Sequence, residues 1–116
     1  MRHKKDVRKL GRNKSQRKSL MRNMAISFFR YRKIVTTEAK AKELKRTVER
    51  LITIGKKQDA ASWRRIDTFL SHPATTRIVQ EIGAKYIERK GGYTQIVRLV
   101  PRRGDGGARA LIQLVG

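Results

Sequence analysis

The chain has 116 residues, of which 30 are Lys or Arg and 9 are Asp or Glu, so its formal net charge at pH 7 is +21. A chain of this length suits one ordinary domain, and so large a positive charge favours an anionic partner, because it destabilises a free compact monomer through self-repulsion. Cysteine is absent, which excludes a disulfide framework, a thiolate nucleophile and a cysteine-based zinc site.

The chain begins with a basic arm. Residues 1–22 contain ten Lys or Arg and a single acidic residue, Asp6, and residues 1–14 have no sustained apolar period. Each cationic side chain set against a phosphate releases condensed counterions, so such a cluster indicates binding to nucleic acid. We therefore predict one domain over residues 1–116, made of a basic arm, 1–14, and a folded body, 15–116.

The first predicted helix covers residues 15–31. Arg22 and Arg30 fall on one side of it, interrupted by Ile26. On another side, apolar residues recur at spacings of three and four and form a stripe for the core. The stripe contains Leu20, Met24, Phe28 and Tyr31, with Met21 and Ala25 beside them.

The second predicted helix, over residues 38–55, has the clearest amphipathic pattern. Thr36 or Thr37 can cap its start, since a Thr side chain accepts a hydrogen bond from an unpaired backbone N–H, and Gly55 can end it. Its core stripe is Ala41, Leu44, Val48, Leu51 and Ile52.

Two shorter helices follow. Asp59 can cap the third helix, and Pro73 suits the first turn of the fourth, which stops near Gly83. Their predicted core residues are Trp63, Ile66 and Leu70 in the third helix, and Ile78, Val79 and Ile82 in the fourth.

Three segments have strand character. A short β-branched run at 33–37 and two longer runs at 93–100 and 108–115 predict strands. The last two flank "PRRGDGG", whose Pro, Asp-Gly and Gly-Gly favour a turn, so they form a hairpin. Together the elements predict an α+β fold of two layers, in which a small three-stranded sheet packs against about four helices.

Enzymatic chemistry finds no support in the sequence. His3 lies in the arm and His72 precedes Pro73, where it is a turn residue, and neither has an evident acidic partner. The nine carboxylates include no pair spaced for acid–base catalysis or a metal site. We therefore predict no catalytic residue, no metal, no cofactor and no small-molecule substrate.

Two glycine clusters, "GGY" at 91–93 and "GDGG" at 104–107, match neither a Walker loop nor a dinucleotide fingerprint. A tight turn explains both. For the first cluster, which follows Lys90, close approach of the backbone to a phosphate is an alternative. Tyr93 can either stack on a nucleotide base or begin the strand.

The choice of partner rests on several features. The uncharged run at 23–29 is far too short to span a membrane, and the apolar stripe of the first helix is needed for the core rather than for a lipid surface. Only 6% of the residues are aromatic, which disfavours a stacking platform for single strands and favours the phosphates and shape of a folded RNA. A DNA-binding nucleoid-type or regulatory protein is the alternative, since charge alone does not distinguish the two nucleic acids.

Five segments together resemble one family, the seventeenth large-subunit (L-series) ribosomal protein of bacteria. They are "MRH", "KLGRNKSQRKSLMRNMAIS", "IVTTEAKAKELKR", "GGYTQIVRL" and "RRGDGGARALIQLV", and they cover almost the whole chain in order. The central segment 58–80 resembles the family least, and position 39 is Ala where many members have Pro.

The resemblance implies a structural protein of the bacterial 50S subunit, located on the ribosome in the cytoplasm. It implies binding to 23S rRNA near the exit of the nascent-peptide tunnel, beside a neighbouring small ribosomal protein, with no homo-oligomer. It also implies a small α/β fold with a three-stranded mixed sheet. With the basic clusters and the glycine loop, it predicts RNA contacts at Arg2, His3, Lys4, Lys5, Arg8, Lys9, Arg12, Asn13, Lys14, Arg17, Lys18, Arg22, Arg30, Lys40, Lys42, Lys90, Gly91, Gly92, Tyr93, Arg102 and Arg103.

Overall fold

The computed structural model of the chain describes residues 13–100 and 108–116. In chain order the elements are α1 (Lys14–Tyr31), β1 (Lys33–Thr37), α2 (Glu38–Gly55), α3 (Ala60–Leu70), α4 (Pro73–Lys85), β2 (Thr94–Leu99) and β3 (Arg109–Leu114). The predicted α+β class, with four helices and a three-stranded sheet, is confirmed. The predicted turn over "PRRGDGG" and most of the predicted arm lie outside the described residues.

Side-chain caps fix where the helices begin. Helix α1 starts one residue earlier than predicted, because the Asn13 side chain accepts a hydrogen bond from the backbone N–H of Gln16 at 2.8 Å. Thr37 caps α2 and Asp59 caps α3, as predicted. His72 caps α4, its Nδ1 accepting from the backbone N–H of Thr75 at 3.3 Å. His72, which the sequence predicts to be a turn residue, therefore has a structural role as a helix cap.

The sheet is antiparallel throughout, in the order β1-β3-β2. The mixed sheet that the resemblance implies is therefore wrong in this detail. Strand β3 returns from the hairpin into the space between the other two strands, so both of its neighbours run opposite to it. Strands β1 and β2 point the same way, but they are separated by β3 and form no parallel ladder.

The core lies between the sheet and the helices, and α2 is its centre. The predicted stripe of α2 is confirmed, with Leu44 and Val48 fully buried. Helix α1 buries Met24 and Phe28 as predicted, but Tyr31 is 60% exposed and the prediction of a core position for it is wrong. The adjacent Phe29, which the predicted stripe omits, is fully buried and packs edge-on against Phe28 at 5.4 Å between ring centroids.

Helices α2 and α4 approach each other at two glycines. A Cβ atom placed on Gly83 would lie 2.6 Å from the carbonyl carbon of Gly55, closer than side chains approach a backbone. Helix α4 ends at Lys85, two residues after Gly83 and so near the predicted stop. The missing side chain of Gly83 allows the backbones of the two helices to pack directly, which sets the position of the helical layer.

Candidate nucleic-acid interface

The predicted RNA-binding residues that the structure describes lie on three surfaces rather than in one site. The first surface is the start of α1. Lys14 and Lys18 are exposed there and Arg17 is partly exposed, and the first turn contains no acidic residue. Positive side chains at this end oppose the helix dipole, so the arrangement is unfavourable unless an anion binds beside it. Asn13 has a structural role as the cap described above.

The second surface is at the end of the sheet where β1 and β2 begin. The Arg30 guanidinium lies over the Tyr31 ring, 5.3 Å from its centroid, and both side chains are exposed. The backbone carbonyl of Arg32 accepts a hydrogen bond from the N–H of Leu114 at 3.3 Å, which joins this corner to β3. The glycine loop enters β2 at the same end of the sheet.

The glycine loop has a backbone that requires glycine. Gly91 has a φ of 144° and Gly92 a φ of 64°, and a Cβ on either would meet no atom within 4 Å. The glycines therefore serve the left-handed turn of the chain and leave the space around the loop open. Lys90 is exposed beside them.

Tyr93 lies in the core and not on this surface. Its side chain is 2% exposed, and its ring packs against Tyr86 with 5.3 Å between centroids. The Lys56 ammonium donates a hydrogen bond to the Tyr93 hydroxyl at 2.9 Å. Base stacking by this ring is not possible in the described structure, and the alternative interpretation, in which Tyr93 leads into the strand, is the one it supports.

The environment of Tyr93 also perturbs its acidity. Burial raises the pKa of the hydroxyl, but hydrogen bonds from Lys56 and Thr53 and the charge of Lys56 outweigh this effect and lower the pKa. The hydroxyl remains a structural group that ties the loop to the end of α2. These contacts hold in place the glycine loop and Lys90, the basic residue that precedes it.

A second polar cluster anchors β2 to α2. One carboxylate oxygen of Glu49 accepts from the backbone N–H of Thr94 at 3.0 Å, from its hydroxyl at 2.8 Å and from the Lys45 ammonium at 3.2 Å. Burial raises the pKa of Glu49, but the hydrogen bonds from Thr94 and Lys45 outweigh burial and lower it. This cluster fixes the first residue of β2 and hence the glycine loop before it.

The third surface is the opposite end of the sheet, where α2 begins. Lys42 pairs with Glu38 at 3.7 Å, and the same carboxylate oxygen accepts from Arg98 at 3.0 Å. Lys40 is partly exposed in the same turn. Strand β2 has six residues, so about 20 Å separates this surface from the glycine loop. The structure does not bring these predicted residues together.

Arg22 is predicted as an RNA contact, and in the structure it also joins two helices. Its Nε donates to the carbonyl of Phe69 at 3.2 Å, which ties α1 to the end of α3. The remaining predicted residues lie outside the described ranges: Arg2, His3, Lys4, Lys5, Arg8, Lys9, Arg12, Arg102 and Arg103.

Sequence reasoning missed a groove between α2 and α3. It is lined by eight residues: Glu43, Arg46, Thr47, Arg50, Leu51, Ile54, Arg65 and Phe69. The four-residue spacing of the first two arginines places them on one side of α2, a signal that the sequence does carry. The position of α3 beside them follows only from tertiary packing.

The described residues were compared with the requirements of a metal-binding cluster and of a membrane-spanning helix. Within 13–100 and 108–116, no three His, Asp or Glu side chains are grouped to hold a metal ion. In the same ranges, no helix combines the length and the apolar character needed to cross a membrane.

Comparison with known proteins identifies the family. A family model described as Ribosomal protein L17 matches residues 20–115. A protein of Sulfurimonas denitrificans is 47% identical over 116 residues, covering 99% of this chain and 100% of its own length. A protein of Natranaerobius thermophilus is 46% identical over 109 residues, 93% of this chain and 96% of its own. Both are named large ribosomal subunit protein bL17. The family expected from the sequence is thereby confirmed, and the chain belongs to the ribosomal protein L17 family of structural, non-enzymatic ribosomal proteins.

Proposed function

We propose that this chain is a structural constituent of the bacterial large ribosomal subunit, where it binds 23S rRNA near the exit of the nascent-peptide tunnel and supports subunit assembly and translation. Family membership supports the ribosomal role, and the names of its relatives support the large subunit. The resemblance of its segments to the bacterial family supports the finer location. A neighbouring small ribosomal protein is the expected protein contact, without self-association.

The observation that carries the RNA-binding proposal is the distribution of positive charge. Basic residues lie at the start of α1, at the glycine-loop end of the sheet and at the α2 end of the sheet. A protein that binds one straight duplex needs a single basic face. Charge on several sides of a small body instead suits a protein enclosed by folded RNA, which is recognised through its phosphates and shape. The match to a ribosomal protein family gives the DNA-binding alternative no support.

Titration of the purified full chain against transcribed 23S rRNA at increasing salt tests this proposal. If five to ten phosphates are contacted, affinity falls by about three to five orders of magnitude between about 50 and 200 mM salt, with the duplex DNA rule as a guide. A Lys14→Glu/Lys18→Glu variant should reduce both the affinity and its salt slope. A salt-insensitive affinity would contradict the electrostatic basis of the proposal.

A further inference from the structure

The groove between α2 and α3, defined above by its eight lining residues, has the features of a polyanion site. It is an open groove with a volume of about 570 Å³, which lies within the size range of ligand sites in proteins. Its apolar lining residues are Leu51, Ile54 and Phe69. Its polar lining consists of three arginines, one carboxylate (Glu43) and one hydroxyl (Thr47). An adjoining hollow shares Arg50 and Arg65 and adds Lys57.

The charges of this groove are not balanced within the described part of the chain. Elsewhere on α2, basic and acidic side chains form ion pairs, as Lys45 does with Glu49 and Lys42 with Glu38. At the groove, Glu43 pairs with Arg46 at 3.8 Å. The guanidinium groups of the exposed Arg50 and Arg65, in contrast, make no hydrogen bond or ion pair with any residue of 13–100 or 108–116. Guanidinium groups that make no contact within the protein are suited to bidentate contacts with phosphate oxygens.

The spacing of the charges favours an extended anion over a small one. At 1.5 Å per residue, Arg46 and Arg50 are about 6 Å apart along the axis of α2, and Gly55, where the helix ends two residues before Lys57, is about 14 Å from Arg46. One phosphate ion cannot contact all of these charged side chains at once. A chain of phosphates can, while its ribose or base groups cover the apolar lining residues.

The groove also continues a row of positive charge on α1. Lys14, Lys18 and Arg22 follow one another at intervals of four residues, so they form a ridge along the helix. The last of them reaches the carbonyl of Phe69, which is a groove residue. We call this ridge, the groove arginines and Lys57 together the cationic track. It begins at Lys14, the last residue of the basic arm, and ends at Lys57.

We propose that the α2–α3 groove is an rRNA backbone site, and that one RNA strand follows the cationic track from α1 into the groove. This inference rests on the proposed function, since it names the surface through which the chain holds rRNA. The observations favour RNA over an acidic protein segment, because the charges are regularly spaced arginines and lysines that run on from the arm.

Charge reversal in the groove tests the site. In the Arg50→Glu/Arg65→Glu variant, affinity for transcribed 23S rRNA should fall at least ten-fold, and the slope of log affinity against log salt should decrease by about two. The matched control is Arg64→Glu/Arg77→Glu, which makes the same change of net charge at exposed positions on α3 and α4. Circular dichroism and melting temperature should be unchanged in both variants.

A cleavage reagent attached to the groove identifies the molecule that binds there. Because the chain has no cysteine, a Thr47→Cys variant can carry a single iron chelate at the groove. In assembled large subunits, this chelate should cleave 23S rRNA at a few discrete positions. Cleavage of a neighbouring protein without rRNA cleavage would overturn the inference in favour of a protein occupant.

The outcomes separate this inference from the function on which it rests. If the groove variant binds rRNA as well as its control does, while Lys14→Glu/Lys18→Glu weakens binding, then the groove inference is wrong and the proposed function stands. If the unaltered chain shows no affinity for 23S rRNA and does not join large subunits, then the proposed function itself fails.

Discussion

Replacing Gly83 by alanine is expected to destabilise the protein, although alanine is normally the better helix residue. The position lies inside α4, where the added methyl group would meet backbone atoms of α2. The nearest are the carbonyl carbon of Gly55 at 2.6 Å, its oxygen at 2.8 Å and the backbone nitrogen of Lys56 at 2.8 Å. Backbone atoms cannot rotate away, so one helix must move.

The magnitude follows from two opposing effects. Glycine to alanine in a helix interior favours the folded state by about 1 kcal/mol through helix propensity. Overpacking against a rigid neighbour costs about 3 kcal/mol, at the upper end of the usual range, because α2 and α4 both carry core residues that must shift with them. The net loss is about 2 kcal/mol, which lowers the melting temperature by roughly 8 °C in a domain of this size.

Urea unfolding followed by circular dichroism, at moderate salt, measures this change. The control is Ala84→Gly at the next position of α4, which is exposed and should lose about 1 kcal/mol through propensity alone. The sign of the effect decides the question. If Gly83→Ala raised stability by about 1 kcal/mol, propensity alone would be acting, and the close approach of α2 and α4 would be refuted.

Three further predictions concern single elements. Because the pKa of Glu49 is lowered in the folded state, its carboxylate stabilises the fold at neutral pH, and this stabilisation is lost as the pH falls below about 4.5. The urea midpoint should therefore decrease less between neutral and acidic pH in Glu49→Gln than in the exposed control Glu81→Gln. Leu44→Ala should reduce the free energy of unfolding by about 2–5 kcal/mol through the cavity it leaves, and unchanged thermal stability would contradict its core position. Deleting residues 2–12 should leave circular dichroism and melting temperature nearly unchanged but sharply reduce incorporation into large subunits, whereas an unfolded deletion variant would show that the arm belongs to the core.

The helices could be predicted from the sequence where one amphipathic stripe decides the outcome. The stripe of α2 has its apolar residues at regular spacing, and all five predicted members are buried. In α1 the apolar residues include two neighbours, Phe28 and Phe29, and both are buried. Tyr31 lies in the last turn of α1, just before the chain reverses at Arg32, which has a φ of 67°. Periodicity alone does not reveal that the reversal leaves Tyr31 exposed.

The candidate site could be predicted only as a list of basic residues. Sequence identifies which residues are cationic, but their grouping depends on how the elements pack. The burial of Tyr93 follows from Tyr86 and Lys56, which precede it along the chain by 7 and 37 residues. The groove likewise requires α3 to lie beside Arg50, a contact that no local pattern encodes.

Sedimentation of the tagged full chain from a bacterial lysate in magnesium tests the central claim most directly. The chain should travel with the large subunit at moderate salt, and DNase should not change this. Sedimentation apart from the large subunit, or with DNase-sensitive chromosome, would contradict its assignment as a structural constituent of the large ribosomal subunit.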